Sequence, residues 1–391
     1  MFMKLTEQEI KEMYRDFSAK FSNHLMRVLI ENTEKENNIS ISPSRLQNVL
    51  VLLANWASQN VQRAILDVVG SDVMEMSEAN VLCDKELFVL TPWEPDSGND
   101  HIPAIELNTI LWLMKGLEIN QQALDIVSPF FEVSTQIVDF SQSETKTIIN
   151  EAIDKASHGL IKELSSEISP ETKALITDIL YFKAIWANKF DEARTKEQLF
   201  YGTKGKTTVP MMKRQGFMQY RETDICQMVC LRYMCMSEQN KSFVMRIFLP
   251  KQGHTPDEVL REVWNNEFSI DVEEEEVKLS FPKFTIESKV NLKETLRQLG
   301  LECVFVSTNI IPECVKDLMI SDITQQVKIK VNENETEAAA LTEVPICAGC
   351  PPQMEMKPVV MTVNRPFLYE IAEEYSNTIL FAGLINNIEE D

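Results

Sequence analysis

The chain has 391 residues, and its 38 Lys plus Arg against 60 Asp plus Glu leave a net charge of −22 at neutral pH. Affinity for polyanions comes from clustered cations, so neither a nucleic-acid binder nor a glycosaminoglycan binder is expected. Hydrophobic residues at 44% and charged residues at 25% are ordinary for a globular protein with a large core, which excludes wholesale disorder.

The opening Met1-Phe2-Met3-Lys4-Leu5-Thr6-Glu7 turns acidic before any apolar run of about 7 to 15 residues, so no secretory signal is visible. The longest apolar runs, 49–54 and 110–114, fall short of the ~18 residues a membrane span needs. Eight cysteines at irregular spacing suit neither a disulfide scaffold nor a zinc site. A cytoplasmic location, or an extracellular or cell-surface one reached by unconventional secretion, is expected, with no membrane and no cofactor.

In chain order, Thr6 and Glu9 form a capping box ahead of Ile10, Met13, Tyr14, Phe17, Phe21, Leu25 and Val28 at helical spacing, which predicts a long amphipathic helix. A second helix is expected after Ser42-Pro43 through Leu46, Val49, Leu50 and Leu53. A third runs from Ser58 and stops at Gly70. Residues 84–103, with Pro92, Pro95 and Gly98, read as a loop inside one domain rather than a linker. A helical stretch ends near Gly159, and the β-branched and aromatic residues Ile179, Tyr181 and Phe182 predict a buried central strand. Strands are expected over 243–249, over Val277, Leu279 and Phe281, and over Val327, Ile329 and Val331, with a helix over 288–300 before the last. Glu273 to Glu276 form an acidic run read as a solvated turn or edge strand. Phe367, Tyr369 and Ile371, then Ile379 and Phe381, predict a closing hairpin. The class is α+β in a single domain, 1–391.

Enzymatic motifs are missing. No two of the eleven glycines stand at G-x-G spacing, and neither a phosphate loop nor G-x-S-x-G occurs. The four histidines, at 24, 101, 158 and 254, show no H-E-x-x-H pairing. His24, beside the apolar stripe of the first helix, reads as structural. A Ser-His or Cys-His pair assembled from distant residues is the one form in which catalysis stays open.

One segment is odd for a globular protein. After Val331 the chain runs through Glu333-Asn334-Glu335-Thr336-Glu337-Ala338-Ala339-Ala340 into Pro345-Ile346-Cys347-Ala348-Gly349-Cys350-Pro351-Pro352, about 30 residues without a strand pattern. Small side chains at Thr336, Ala338 and Ala340 would fit between two neighbouring strands.

Here the sequence resembles the serpins. The stretch from Glu333 to Ala340 is similar to the hinge of that family's reactive-centre loop, placed at about 333–360. The likeness extends along the chain: Asn38-Ile39-Ser40-Ile41-Ser42-Pro43, Ile149-Asn150 with Gly159, Tyr181-Phe182-Lys183 with Trp186 and Phe190, and Val209-Pro210-Met211-Met212. Pro282-Lys283-Phe284, Asn364-Arg365-Pro366-Phe367 and Leu380-Phe381-Ala382-Gly383 continue it. The resemblance implies the serpin fold, with three β-sheets, about nine helices and an exposed loop. It implies a monomeric suicide-substrate inhibitor with a metastable native state. The partner is a target protease, serine or papain-like cysteine; the alternative is a non-inhibitory carrier, chaperone or binding module. By family spacing the scissile bond follows Gly349, with Ala348, Cys350 and Met354 as other candidates. The breach is assigned to Trp186, and the polar cluster beneath the main sheet to Ser42, Arg45, Asp178 and Gln325. This chain departs from the family's usual residues at Glu335, normally glycine, and at Arg45, Asp178 and Gln325. Arg45 and Asp178 are expected to pair, with Gln325 donating to the carboxylate.

Overall fold

The computed structural model describes residues 7–70, 75–90, 104–116, 121–163, 168–234, 242–263, 272–306, 320, 323–334, 357–374 and 376–389. Helix α1 (Glu7–Asn32) turns Phe17, Phe21 and Leu25 into the core as expected, with Leu29 buried next in place of Val28, which is half-buried. Its His24, expected to be structural, is exposed. A short buried strand β1 (Ile39–Ile41) leads into α2 (Pro43–Ala54), which starts on proline, where the missing N–H leaves no hydrogen bond unmade. Helices α3 (Gln59–Val69) and α4 (Met76–Leu90) complete the early helical layer. The loop expected over residues 84–103 is thus corrected at its start, and residues 91–103 lie outside the described residues. Nothing before Pro92 breaks a helix, so α4 continues through the first seven residues of the stretch, 84–90.

Strand β2 (Ala104–Met114), helix α5 (Gln121–Val127), strand β3 (Val133–Val138), helix α6 (Ser143–Ala156) and strand β4 (Ala174–Lys183) follow. β2 runs antiparallel to β4 and parallel to β3 in a three-stranded sheet ordered β3-β2-β4. The next elements are β5 (Lys196–Tyr201), β6 (Lys206–Glu222), β7 (Cys226–Arg232), β8 (Phe243–Pro250), α7 (Pro256–Val263) and β9 (Glu273–Pro282). The acidic run is the first half of β9. There β6 pairs along one side, while β12 (Val359–Thr362) registers only from Val277 onward, so the charged half is a strand edge among the described residues.

β10 (Phe284–Asn291) occupies part of the stretch expected to be helical. Phe284, Ile286 and Ser288 alternate inward and pair against β11 (Thr324–Val331), so the helix begins only at α8 (Lys293–Leu296). From there it passes a π-type turn, with Gly300 at φ +91°, into α9 (Glu302–Val306). Counting α8 and α9 as one interrupted helix, the described residues hold eight. β13 (Phe367–Glu373) and β14 (Ile379–Ile385) form the expected hairpin.

The largest sheet is ordered β1-β14-β13-β8-β7-β6-β9-β12, with β5 added to β6, and β10-β11 stand as a two-stranded sheet. One core lies under α1, α2 and α3; a second fills the space between the large sheet and the β10-β11 ribbon. This α+β architecture brings β4 and β11 to the same side of α2.

Gly383 marks the closest approach in the core. A Cβ there would lie 2.4 Å from the Ile39 carbonyl and 2.5 Å from the Tyr369 ring. Gly383→Ala should lower stability by about 1 to 3 kcal/mol, read as a shift in the urea midpoint at unchanged slope.

Candidate functional site

The segment 40–45 crosses beneath both small sheets. The Ser40 amide donates to Ser288 Oγ on β10 at 3.0 Å, and its hydroxyl bonds Tyr369 Oη on β13 at 2.6 Å. Ser42 and Gln325 of β11 make a reciprocal pair: the Ser42 amide donates to Gln325 Oε1 at 2.6 Å, and Gln325 Nε2 donates to the Ser42 carbonyl at 3.0 Å. Arg45, one helical turn on, reaches the other sheet. Its Nε donates to Asp178 Oδ2 of β4 at 2.9 Å, and its Nη2 contacts Asp178 Oδ1 as well.

The expected Arg45–Asp178 pair is thus present and bidentate, with side chains 5% and 10% exposed. The expected role of Gln325 is corrected, because its amide is engaged by the Ser42 backbone instead. The third member is Thr109 of β2, which accepts from Arg45 Nη2 at 3.0 Å and donates to Asp178 Oδ1 at 2.7 Å. Thr109 escaped the sequence reading; a lone hydroxyl before the apolar run 110–114 was the only signal. The first turn of α2 holds no acidic side chain, and a cation there opposes the helix dipole. Asp178 supplies the missing negative charge.

At their C-terminal ends β4 and β11 meet again. Trp186, 1% exposed and stacked on Tyr233 with ring centroids 4.5 Å apart, donates from Nε1 to the Asn332 carbonyl at 2.9 Å. The Phe190 amide donates to the Glu333 carbonyl at 3.0 Å. Glu333 Oε1 accepts from the Thr195 hydroxyl at 2.9 Å, and its other oxygen lies 3.2 Å from Lys283 Nζ. Asn334 Nδ2 donates to Glu192 Oε1 at 2.5 Å. Burial would raise the Glu333 carboxyl, but its own backbone amide, Thr195 and Lys283 together hold it below the ordinary glutamate value. These groups face a polar cavity of about 510 Å³ that also touches Pro210 and Lys330.

Between these two clasps β4 and β11 run in the same direction. They are not registered on each other, and among the described residues no strand pairs along the facing edge of either. Glu335, Thr336, Glu337, Ala338, Ala339 and Ala340 lie outside the described residues, as do the scissile candidates Ala348, Gly349, Cys350 and Met354. Of the histidines, His158 lies against Tyr181 with centroids 4.3 Å apart and the rings tilted by 33°, and His254 bonds Glu258 at 3.1 Å; His101 lies outside the described residues.

A family model described as Serpin (serine protease inhibitor) matches residues 16–388. A serpin-like protein of Thermococcus kodakarensis is 32% identical over 291 residues, which are 71% of this chain and 65% of that protein. Mouse plasminogen activator inhibitor 1 is 25% identical over 394 residues, covering 98% of this chain and 94% of its own. The structure of human thyroxine-binding globulin complexed with thyroxine superposes with a TM-score of 0.82 at 23% identity, covering 97% and 100% of the two chains.

Two outcomes follow from this geometry. Asp178→Asn strands the buried Arg45 charge and should cost about 3 to 5 kcal/mol of native stability by calorimetry, whereas Arg45→Ser with Asp178→Asn should recover most of it. Simple additivity of the two changes would uncouple them. The second concerns pH. Because the Glu333 carboxyl is depressed, the stability it contributes is complete above the unfolded value of about 4.3 and is lost as pH falls through its own lower value. Amide exchange at 332–334, corrected for intrinsic rate, should accelerate in that acid range. In Glu333→Gln it should be fast throughout.

Proposed function

The chain belongs to the serpin family, whose members are characteristically protease inhibitors rather than enzymes, and we propose that it is itself an inhibitory serpin, a suicide substrate of endopeptidases. The observation that carries this reading is the pair β4 and β11, clasped at 40–45 and at Trp186 but without a strand registered between them among the described residues. The chain that leaves β11 at Asn334 continues into Thr336, Ala338, Ala339 and Ala340, side chains small enough to enter such a space.

In this mechanism a protease attacks the loop and forms its acyl-enzyme. The loop then inserts as a strand between β4 and β11, and the protease is carried away from its starting position before water can deacylate it. The driving force is strand pairing left unmade in the starting state, held back by a kinetic barrier. Small residues at Cys347, Ala348 and Gly349 suit an elastase-like serine protease or a papain-like cysteine protease; a cut after Met354 would suit a chymotrypsin-like one. The competing reading, a binding module without inhibition, rests on Glu335, charged where the family usually has glycine. The human relative in the structural comparison binds thyroxine.

The protein acts in this reading as a monomer, in the cytoplasm or after unconventional export. Its chemistry suits a reducing compartment, since Cys226 and Cys230 are free and buried, their thiols pushed up to about 12 and about 11 by desolvation.

Incubation with a panel of elastase-, chymotrypsin- and papain-like proteases should yield an SDS-stable complex with at least one, and mass spectrometry of the released peptide should locate the cut between Ala348 and Met354. Cleavage of the loop by every protease without a stable complex would favour the binding module. Thr336→Arg would bury an unpaired charge on insertion at a cost of several kcal/mol. That variant should turn from inhibitor to substrate, with its stoichiometry of inhibition rising severalfold.

A further inference from the structure

Away from both clasps, a cavity of about 480 Å³ opens where the end of α1, β1, the start of α7 and the ends of β8 and β14 converge. Its volume is that of a small-ligand site. Ile30, Ile39, Pro250, Pro256, Pro366 and Leu384 give it an aliphatic wall with no Phe, Tyr or Trp ring in the lining. The His254 imidazole is the one aromatic ring in that lining, so a flat aromatic ligand would find little to stack on, whereas a flexible hydrocarbon would bury its methylenes against branched and cyclic side chains.

The polar end of the cavity is Arg365. Its Nε donates to the Pro250 carbonyl at 2.8 Å and its Nη1 reaches Asn364 Oδ1 at 3.4 Å, both neutral acceptors. No carboxylate of the described residues forms an ion pair with it. Burial lowers the guanidinium below the usual arginine value, the mark of a cation that has lost water without gaining a counter-ion. Of the three carboxylates in the lining, Asp257 and Glu31 have a cation of their own, lying 2.8 and 3.9 Å from Arg261, and Glu34 is in no ion pair among the described residues. Lys35 adds a further positive charge to the lining.

We propose that this cavity binds an aliphatic monocarboxylate, with the hydrocarbon against Ile30, Ile39, Pro366 and Leu384 and the carboxylate on the outer face of Arg365. A planar guanidinium with an unused edge matches a carboxylate in two parallel hydrogen bonds, which an alcohol of the same length cannot make. The site is separate from the loop-insertion machinery and does not depend on the inhibitory reading.

The test uses the full chain with decanoate and decanol as probes. Decanoate should bind saturably at one to one by calorimetric titration and raise the thermal midpoint. It should slow amide exchange at 30–35 and 251–257. Decanol should bind at least tenfold more weakly, and Arg365→Gln should weaken decanoate at least tenfold while leaving decanol unchanged. If Arg365→Gln does not fold, the exchange map and the comparison of decanoate with decanol on the unaltered protein decide by themselves. No saturable binding at millimolar decanoate, protection confined to other segments, equal affinity for the two probes, or undiminished affinity in a folded Arg365→Gln protein would each overturn the proposal.

Discussion

A buried charge survives in a protein only while its partner is in place, and this fold turns on one such pair. Arg45 and Asp178 are nearly water-free and joined by two contacts, with Thr109 bonded to both. Alone, either charge would carry a desolvation penalty that nothing nearby offsets. Together they fix α2 beneath β4. The same six residues, 40–45, fix it beneath β10 through Ser40 and beneath β11 through Ser42. Two half-sheets that do not pair with each other are thereby held side by side from below.

In the inhibitory reading proposed above, that arrangement makes the clasp a gate. A strand entering between β4 and β11 must push apart the elements that Arg45, Ser42 and Gln325 connect. The two hydrogen bonds of an ionic clasp are lost within a small displacement, while the attraction between its buried charges falls only as the inverse of distance, so parting Arg45 from Asp178 is opposed throughout the movement. The breach at the other end is of a different kind. Trp186 and Phe190 hold the Asn332 and Glu333 carbonyls, while Glu333 is bound through its side chain to Thr195 and Lys283. The Glu333 clasp carries an acid-sensitive group, so the two ends of the gap respond to different variables: the lower one to the Arg45–Asp178 geometry and the upper one to the ionisation of Glu333.

Local signals made parts of this legible in the sequence. The first three helices and the closing hairpin announce themselves through apolar spacing, Ser42-Pro43, Gly70 and strict alternation, all of which act within a few residues; Thr6 of the expected capping box lies outside the described residues. The Arg45–Asp178 pair was also legible, because the family likeness places an arginine and an aspartate opposite each other. Long-range choices were not. Ser288 joins a strand because β11 lies beside it. Gln325 was placed on the right strand but given the wrong acceptor, since a glutamine amide satisfies a backbone pair as readily as a carboxylate. Thr109, one hydroxyl between Asn108 and the apolar run 110–114, carries no pattern at all.

The central claim is that pairing between β4 and β11 is held in reserve for the loop. The thermal midpoint of the intact chain, set against that of the same chain nicked once within 341–352 by a protease that does not form a complex, tests this most directly. If the loop becomes a strand between β4 and β11 once it is cut, the nicked protein should melt tens of degrees higher, its added strand pairing outweighing the broken backbone. An unchanged or lower midpoint after complete nicking would mean that no pairing was held in reserve, and the account of β4, β11 and their clasps as a spring would be wrong.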